Sequence, residues 1–433
     1  MAAIDQLTDN HSHQPVPDGE TVGALRIATV LVGVVITLPA FLLGGEILAG
    51  LGAVRGMIAI LGGGVILIVL AALTMRAGAE TRLSTYNLIG RAFGDTGALA
   101  VNGLLTLTLI GWYGVTAMLF GRACAAAVGG WLGTHPSEEL LAALGGVLMV
   151  ATTIFGFRAI SRLSRLAVPL LIVLLIAGAY MTVSQTPPGQ LLRPAPETSA
   201  FATIGGAISI LIGGSMVGVT IMPDLARFSK NATASFHAAV LSHGLGYPLV
   251  FGLAGLPALA TGSNDLIGNM IAVGLGLPAL LVVVFGTWTT NANNLYSASL
   301  GLAKLVPGAR DWVITLAAGV LGTGLALAGI LDHFVAFLEL LSVTIPPIAG
   351  IYLVDHFTSL RHEPVFGRRV GVNGVAFASW AVGTAVGAKA VDWGVSPTTV
   401  AACDTMLVAA LVYAVGMWAV RRVRRAWLRP PVS

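Results

Sequence analysis

GMIAILGGGVILIVLAALTM occupies positions 56–75. Its residues run without a single charge. Coiled as an α-helix, about 20 residues span roughly 30 Å, the thickness of a bilayer's hydrocarbon core. The run does not alternate apolar and polar side chains, as a transmembrane β-strand must. An open sheet is excluded because its edge groups would find no partners in lipid. The rest of the chain repeats the pattern. It has 433 residues, 56% hydrophobic and only 10% charged, where a soluble domain carries roughly a quarter. Mean hydropathy is +0.88. The predicted fold class is an all-α polytopic membrane protein.

Twelve spans are expected, at about 24–43, 56–74, 97–126, 138–156, 163–184, 200–222, 236–260, 269–300, 312–331, 333–354, 370–388 and 397–420. Charge tests that number. With both termini inside, nineteen of the 23 Lys and Arg residues fall in inner segments. Only Arg55, Arg122, Arg193 and Lys389 fall outside. Cytoplasmic loops are enriched in this way, so the expectation is a multi-pass protein of the inner (plasma) membrane with cytoplasmic termini. The first residues carry Asp5, Asp9, Asp18 and Glu20 and lack the basic start and apolar core of a signal peptide. The net charge of +4 follows from topology, so no nucleic-acid partner is expected. The basic tail at 421–429 suits anionic lipid headgroups of the bilayer. Cys124 and Cys403 have neither disulfide nor metal spacing. No phosphate-binding loop, HExxH or activated nucleophile is present. Neither an enzyme nor a cofactor is expected.

One segment breaks the apolar rule. FGTWTTNANNLYSASLGLAK, 285–304, places hydroxyls and amides on every side of a helix. Such a segment cannot face lipid. The residues leave two readings open: hydrogen bonds between helices, or hard oxygen ligands for a cation. Two spans look interrupted, as helices at the binding sites of secondary transporters often are. The first holds Pro39 and Gly44–Gly45. The sixth holds Gly205, Gly206, Gly213, Gly214, Gly218 and Pro223. They open the first and second groups of five spans. In the third span, Trp112 lies beside Gly111 and Gly114, either as a platform for a planar ligand or as a filler of glycine gaps.

WTTNANNLYSASLGLA (288–303), IGWYG (110–114), PDLARF (223–228) and TIPPIAGIYLVDHF (344–357) together resemble the nucleobase–cation symporter-1 family, near its cytosine permease branch. The resemblance covers most of the chain. It implies two inverted five-helix repeats (LeuT-like) plus two C-terminal helices. The expected division is a cytoplasmic tail at 1–22, repeats at 23–190 and 191–357, the added helices at 358–420 and a basic tail at 421–433. It implies import of a small planar heterocycle coupled to a monovalent cation, Na+ or H+, by alternating access. The ring would stack on Trp112, with contacts around Gly214, Ser215 and Met216 of the sixth span and with Asn291. The cation would take the carbonyls of Gly33, Ile36 and Gly286 and the hydroxyls of Thr289 and Thr290. Cytosine permeases carry glutamine at the place of Leu109 and asparagine at that of Gly286. These departures favour another heterocycle, such as a hydroxymethylpyrimidine, a purine, uracil, allantoin or a hydantoin.

Glu339 lies at depth in the tenth span, as a proton acceptor, a gate brace or a carboxylate at a polar joint. Pro346 and Pro347 break hydrogen bonding there and form a candidate hinge. Asp224 and Arg227 read as a cytoplasmic structural contact. Competing readings are an amino-acid or amine transporter, which Pro39 disfavours by removing a backbone donor, and a passive channel.

Overall fold

The computed structural model describes residue 11 and residues 14–134, 136–191, 203–358, 371–390 and 393–427. The helices in chain order are α1 (Ala24–Val35), α2 (Leu38–Leu51), α3 (Ala53–Thr81), α4 (Thr85–Phe93), α5 (Asp95–Leu132), α6 (Glu138–Thr153), α7 (Gly156–Ser184) and α8 (Ile204–Ile221). After them come α9 (Ala232–Thr261), α10 (Leu266–Ala272), α11 (Gly276–Leu305), α12 (Asp311–Leu327), α13 (Phe334–Thr344), α14 (Pro346–Phe357), α15 (Gly374–Ala390) and α16 (Ala401–Trp427). No strand occurs among the described residues. A single parallel bridge joins Val22 to Ser229.

Among the described residues, seven helical spans are long and apolar enough to cross a membrane, and an eighth if α1 and α2 are one bent span. Large apolar side chains point outward along them, among them Val65 on α3, Leu107 on α5, Val173 on α7 and Leu411 on α16. In water such a surface would mark an interface. Here it is the lipid-facing side of a multi-pass membrane protein.

Besides the close pair α15–α16, two groups of helices pack closely within themselves. One comprises α1–α2, α3, α8 and α9. The other comprises α5, α6, α11 and α12. In the second, a Cβ at Gly114 would meet the Gly322 carbonyl oxygen at 2.8 Å, so glycine lets α5 lie directly on α12. The groups meet where α1 touches α11, and α7 packs against both.

The breaks fall in different places from those expected. The first span turns by 72° between α1 and α2, at Ile36 and the extended Thr37. Pro39 sits in the first turn of α2, where its missing N–H costs nothing. Gly44 and Gly45 are helical contact residues. A Cβ at Gly44 would lie 2.6 Å from the Phe251 carbonyl oxygen. The expected interruption of the sixth span is corrected too: α8 is continuous over its 18 residues, and Pro223 only opens the one-turn helix that follows. A backbone surrounded by lipid and protein keeps its internal bonds even when glycine-rich. The eighth span divides into α10 and α11. The tenth divides at Ile345, between α13 and the prolines that start α14. In α9, residues Val240–Gly246 wind as a π-helix, a feature without a sequence signal.

Candidate cation and substrate site

The end of α1 creates a demand for donors. A helix leaves its last carbonyls without intrahelical partners, and at Ile36–Thr37 the chain turns away. α11 answers. The Thr289 hydroxyl donates to Gly33 O at 2.8 Å and also lies 3.0 Å from Phe285 O and 2.9 Å from Gly286 O. Thr290 Oγ1 lies 3.0 Å from Val34 O and 3.4 Å from Gly33 O. A hydroxyl carries one proton. Two protons thus serve four carbonyl oxygens, and lone pairs are left over. A Cβ at Gly286 would lie only 2.8 Å from Ile36 O, so the absence of a side chain brings the Ile36 carbonyl to the same corner. The structure therefore brings together Gly33, Ile36, Gly286, Thr289 and Thr290. Thr289 is fully buried and Thr290 nearly so.

The Asn291 amide is committed elsewhere. It is fully buried, donates to Tyr113 O at 3.1 Å, and accepts a short hydrogen bond from Thr116 Oγ1 on α5. Expected among the substrate contacts, it instead ties α11 to α5. Trp288 similarly donates to Thr152 Oγ1 on α6 at 2.9 Å.

Trp112 is half-buried on α5. The Phe337 ring of α13 meets it edge-on at 5.9 Å and 68°. Gly111 makes the slot, since a Cβ there would strike the Phe337 ring at 2.9 Å. Phe337 is an aromatic partner that sequence reading missed. The available signal was its three-residue spacing from Phe334 in FVAF. Leu109 is buried in the core. On α8, a Cβ at Gly213, Gly214 or Gly218 would meet nothing within 4 Å, so this face borders open space. Met216 is fully buried, and Ser215 Oγ bonds Leu211 O and the Tyr247 hydroxyl, each at 2.9 Å. Of the three expected α8 contacts, Gly214 faces the opening, Ser215 is half-buried and Met216 is buried. Glu339 lies on α13 with its side chain outside those described. Pro346 and Pro347 are buried at the start of α14.

The far end of α8 is locked. Arg227 is fully buried and donates to the Tyr296 hydroxyl at 2.6 Å, His11 O at 2.8 Å and Asp224 O at 3.1 Å. Phe228 stacks on Phe157 at 4.1 Å. Asp224 Oδ1 accepts from Thr85 N at 2.8 Å. Burial pushes the Asp224 carboxyl up to about 6, and the Arg227 charge and the Thr85 N–H limit the rise.

Interrupted helices occur at the binding sites of secondary transporters, and comparison with known proteins identifies the family. A family model described as permease for cytosine/purines, uracil, thiamine, allantoin matches residues 15–416. The cytosine permease of Escherichia coli (strain K12) is 31% identical over 381 residues, covering 88% of this chain and 89% of the relative. The hydantoin permease of Microbacterium maritypicum is 25% identical over 418 residues, covering 87% and 83%. Among solved structures, Mhp1, a nucleobase-cation-symport-1 family transporter in a closed conformation with bromovinylhydantoin bound, gives a TM-score of 0.82 at 21% identity. That match covers 94% of this chain and 95% of Mhp1. The inward-facing conformation of Mhp1 gives 0.76 at 22% identity, covering 96% and 97%. These structural likenesses speak for the fold. The chain belongs to the nucleobase–cation symporter-1 family, on its cytosine permease-like side.

Proposed function

We propose that this protein imports a nucleobase-like planar heterocycle together with a monovalent cation, by alternating access. It would do so with twelve spans in two inverted five-helix repeats plus two helices, and with both termini cytoplasmic. The observation that carries the reading is the oxygen surplus where α1 ends against α11. Gly33, Ile36 and Gly286 offer carbonyls and Thr289 and Thr290 offer hydroxyls, the hard ligands that Na+ takes. The heterocycle stacks on Trp112, flanked by the Phe337 ring and facing the glycine side of α8 at Gly214. The relatives' names span cytosine, hydantoin and purine–uracil, which supports the class of ring rather than one compound. At Gly286 the Ile36 carbonyl fills the room that a side chain would need, and Leu109 offers no hydrogen bond. Both favour a ring other than cytosine.

The test is a thermal-shift screen of purified protein against nucleobases, hydantoins and pyrimidine precursors, with Na+ or choline as the cation. A ligand that binds the folded state raises the melting temperature. A planar heterocycle is expected to stabilise the protein more in Na+ than in choline. The Thr289→Ala/Thr290→Ala double variant should lose that difference while still purifying as a folded monodisperse species. Retention of the Na+ effect in the double variant refutes the site.

A further inference from the structure

The α1–α11 corner has a third neighbour. Helix α7 runs past α1 and presents two serines to it, one turn apart. The lower, Ser161, is occupied: its hydroxyl accepts from Arg26 Nε at 2.6 Å. The upper, Ser164, is fully buried, and its Oγ has no hydrogen-bond partner among the described residues. A buried hydroxyl left unpaired costs free energy, so a native structure that keeps one calls for an explanation. Its position supplies one. A Cβ built on Gly33 would have Ser164 Oγ at 3.4 Å, Thr289 Cβ at 3.4 Å and Val168 Cγ2 at 3.2 Å. Ser164 and Thr289 thus approach the same point on α1 from different helices, beside the residue whose carbonyl Thr289 bonds. Val168, one turn above Ser164, closes the apolar side.

We propose that the Ser164 hydroxyl is a further oxygen ligand of the monovalent cation, supplied by α7, which makes the cation site a clamp of three helices rather than two. The inference rests on the cation reading of the α1–α11 corner. A hydroxyl suits the role chemically. It turns its lone pairs to an ion without carrying charge, and it adds to the Gly33 and Ile36 carbonyls of α1 and the Thr289 and Thr290 hydroxyls of α11. Ser161 illustrates the same chemistry one turn away, where a seryl oxygen of α7 faces the positive charge of Arg26 on α1. The clamp has a consequence for transport. An ion bound by α1, α7 and α11 ties its affinity to the position of α7, so a displacement of α7 releases it without unwinding α1 further.

The experiment titrates Na+ against choline at constant ionic strength, reading the melting temperature of purified wild type, Ser164→Ala, Ser164→Thr and Thr289→Ala, with and without a stabilising heterocycle. Ser164→Ala is expected to raise the half-saturating Na+ concentration about tenfold. It should leave the heterocycle's affinity at saturating Na+ within twofold of wild type. Ser164→Thr, which restores the hydroxyl, should return the Na+ response towards wild type. A Ser164→Ala half-saturation within twofold of wild type overturns the proposal. So does a rise that Ser164→Thr fails to reverse, since that would mark a packing effect. The outcomes also separate this inference from the reading beneath it. If Thr289→Ala loses its Na+ response and Ser164→Ala keeps it, the two-helix site stands and the α7 ligand falls. If wild type shows no Na+ response, both fall.

Discussion

Replacing Gly286 by alanine sets two known effects against each other at one atom. Alanine is favoured over glycine inside a helix by roughly 1 kcal/mol, and Gly286 lies well within α11. Against this, the new methyl would start 2.8 Å from Ile36 O, 3.5 Å from Ile36 Cγ2 and 3.6 Å from Ile36 C. The obstruction is backbone, so it has no rotamer to change. Relief needs the α1 end to retreat by about half an ångström, and overpacking of this kind costs about 1–3 kcal/mol. The net change in stability without Na+ is then between about zero and 2 kcal/mol of loss. The effect on cation binding is larger in kind. Metal–ligand distances tolerate about 0.2 Å, and the displaced group is the Ile36 carbonyl itself. Gly286→Ala should therefore melt close to wild type in choline and lose most of its stabilisation by Na+. Gly324→Ala on α12 is the control, because a Cβ there meets nothing within 4 Å. It should gain up to about 1 kcal/mol from helix propensity and keep the full Na+ response. A wild-type Na+ titration in Gly286→Ala would refute the placement of Ile36 O in the cation's shell.

Trp112→Ala should weaken heterocycle binding roughly 5- to 150-fold, the equivalent of about 1–3 kcal/mol of ring stacking. The Na+ titration without heterocycle should stay within twofold, both being read by thermal shift; equal loss of both would refute a stacking role. Arg227→Met should cost about 3–5 kcal/mol, the usual penalty for breaking a buried charged contact. It strips the partner from the Tyr296 hydroxyl and His11 O together. Melting of the detergent-solubilised protein measures it, and a loss below about 1 kcal/mol would show the lock to be dispensable. Asp224 adds a pH signature. Burial pushes its carboxyl up to about 6 in the folded protein, from an ordinary value of 3.8. The folded state thus holds the proton more tightly, and that stability is fully present below about pH 4 and lost as pH rises through about 6, by up to about 3 kcal/mol. Asp224→Asn should flatten this part of the stability–pH curve; an unchanged slope between pH 4 and 7 would refute the assignment.

The all-helical, membrane-spanning character was legible because the bilayer imposes a length and a composition on each span; seven helices, or eight with the bent pair, meet that standard among the described residues. Thr289 and Thr290 were legible because hydroxyls in an apolar helix demand partners. The position of the first break was not. Proline marks a place where a helix can begin as readily as one where it fails, and Pro39 does the former. Glycine is equally ambiguous. Gly44 serves a close approach to Phe251, whereas Gly213, Gly214 and Gly218 face open space in an unbroken helix. Asn291 lies one residue from a candidate cation ligand, yet a step along a helix turns about 100°, and that step carries its amide to α5. His11 reads as a solvated tail residue. In the structure it is buried, pairs with Glu20 at 3.2 Å and offers its carbonyl to Arg227, contacts that join residues far apart in sequence and carry no local pattern. The tail's Asp18 and Glu20 likewise reach Arg82 and Arg158.

The arrangement of ligands also bears on how two solutes that never touch can be coupled. The proposed cation oxygens come from α1 in one helical group and α11 in the other. The proposed heterocycle site is divided in the same way, with Trp112 on α5 and the glycine face on α8. Each ligand therefore measures the distance between the same two groups. Whichever binds first holds them at a spacing that the second needs, and this is a coupling free energy without direct contact. A ligand shifts such an equilibrium only by its differential affinity. Moving the groups from 1:99 to 99:1 takes about 10⁴-fold, or about 5.5 kcal/mol. A few oxygens around one monovalent ion, partly offset by the Thr289 and Thr290 hydrogen bonds they must share, need not supply all of it. Division of that total between ion and ring would make transport stoichiometric, because neither solute alone would complete the shift. On this argument, weakening either site should lower the coupling measured at the other. Gly286→Ala should reduce the heterocycle's affinity in Na+ to its value in choline, and no further. A larger fall would mean that α1 contacts the ring directly.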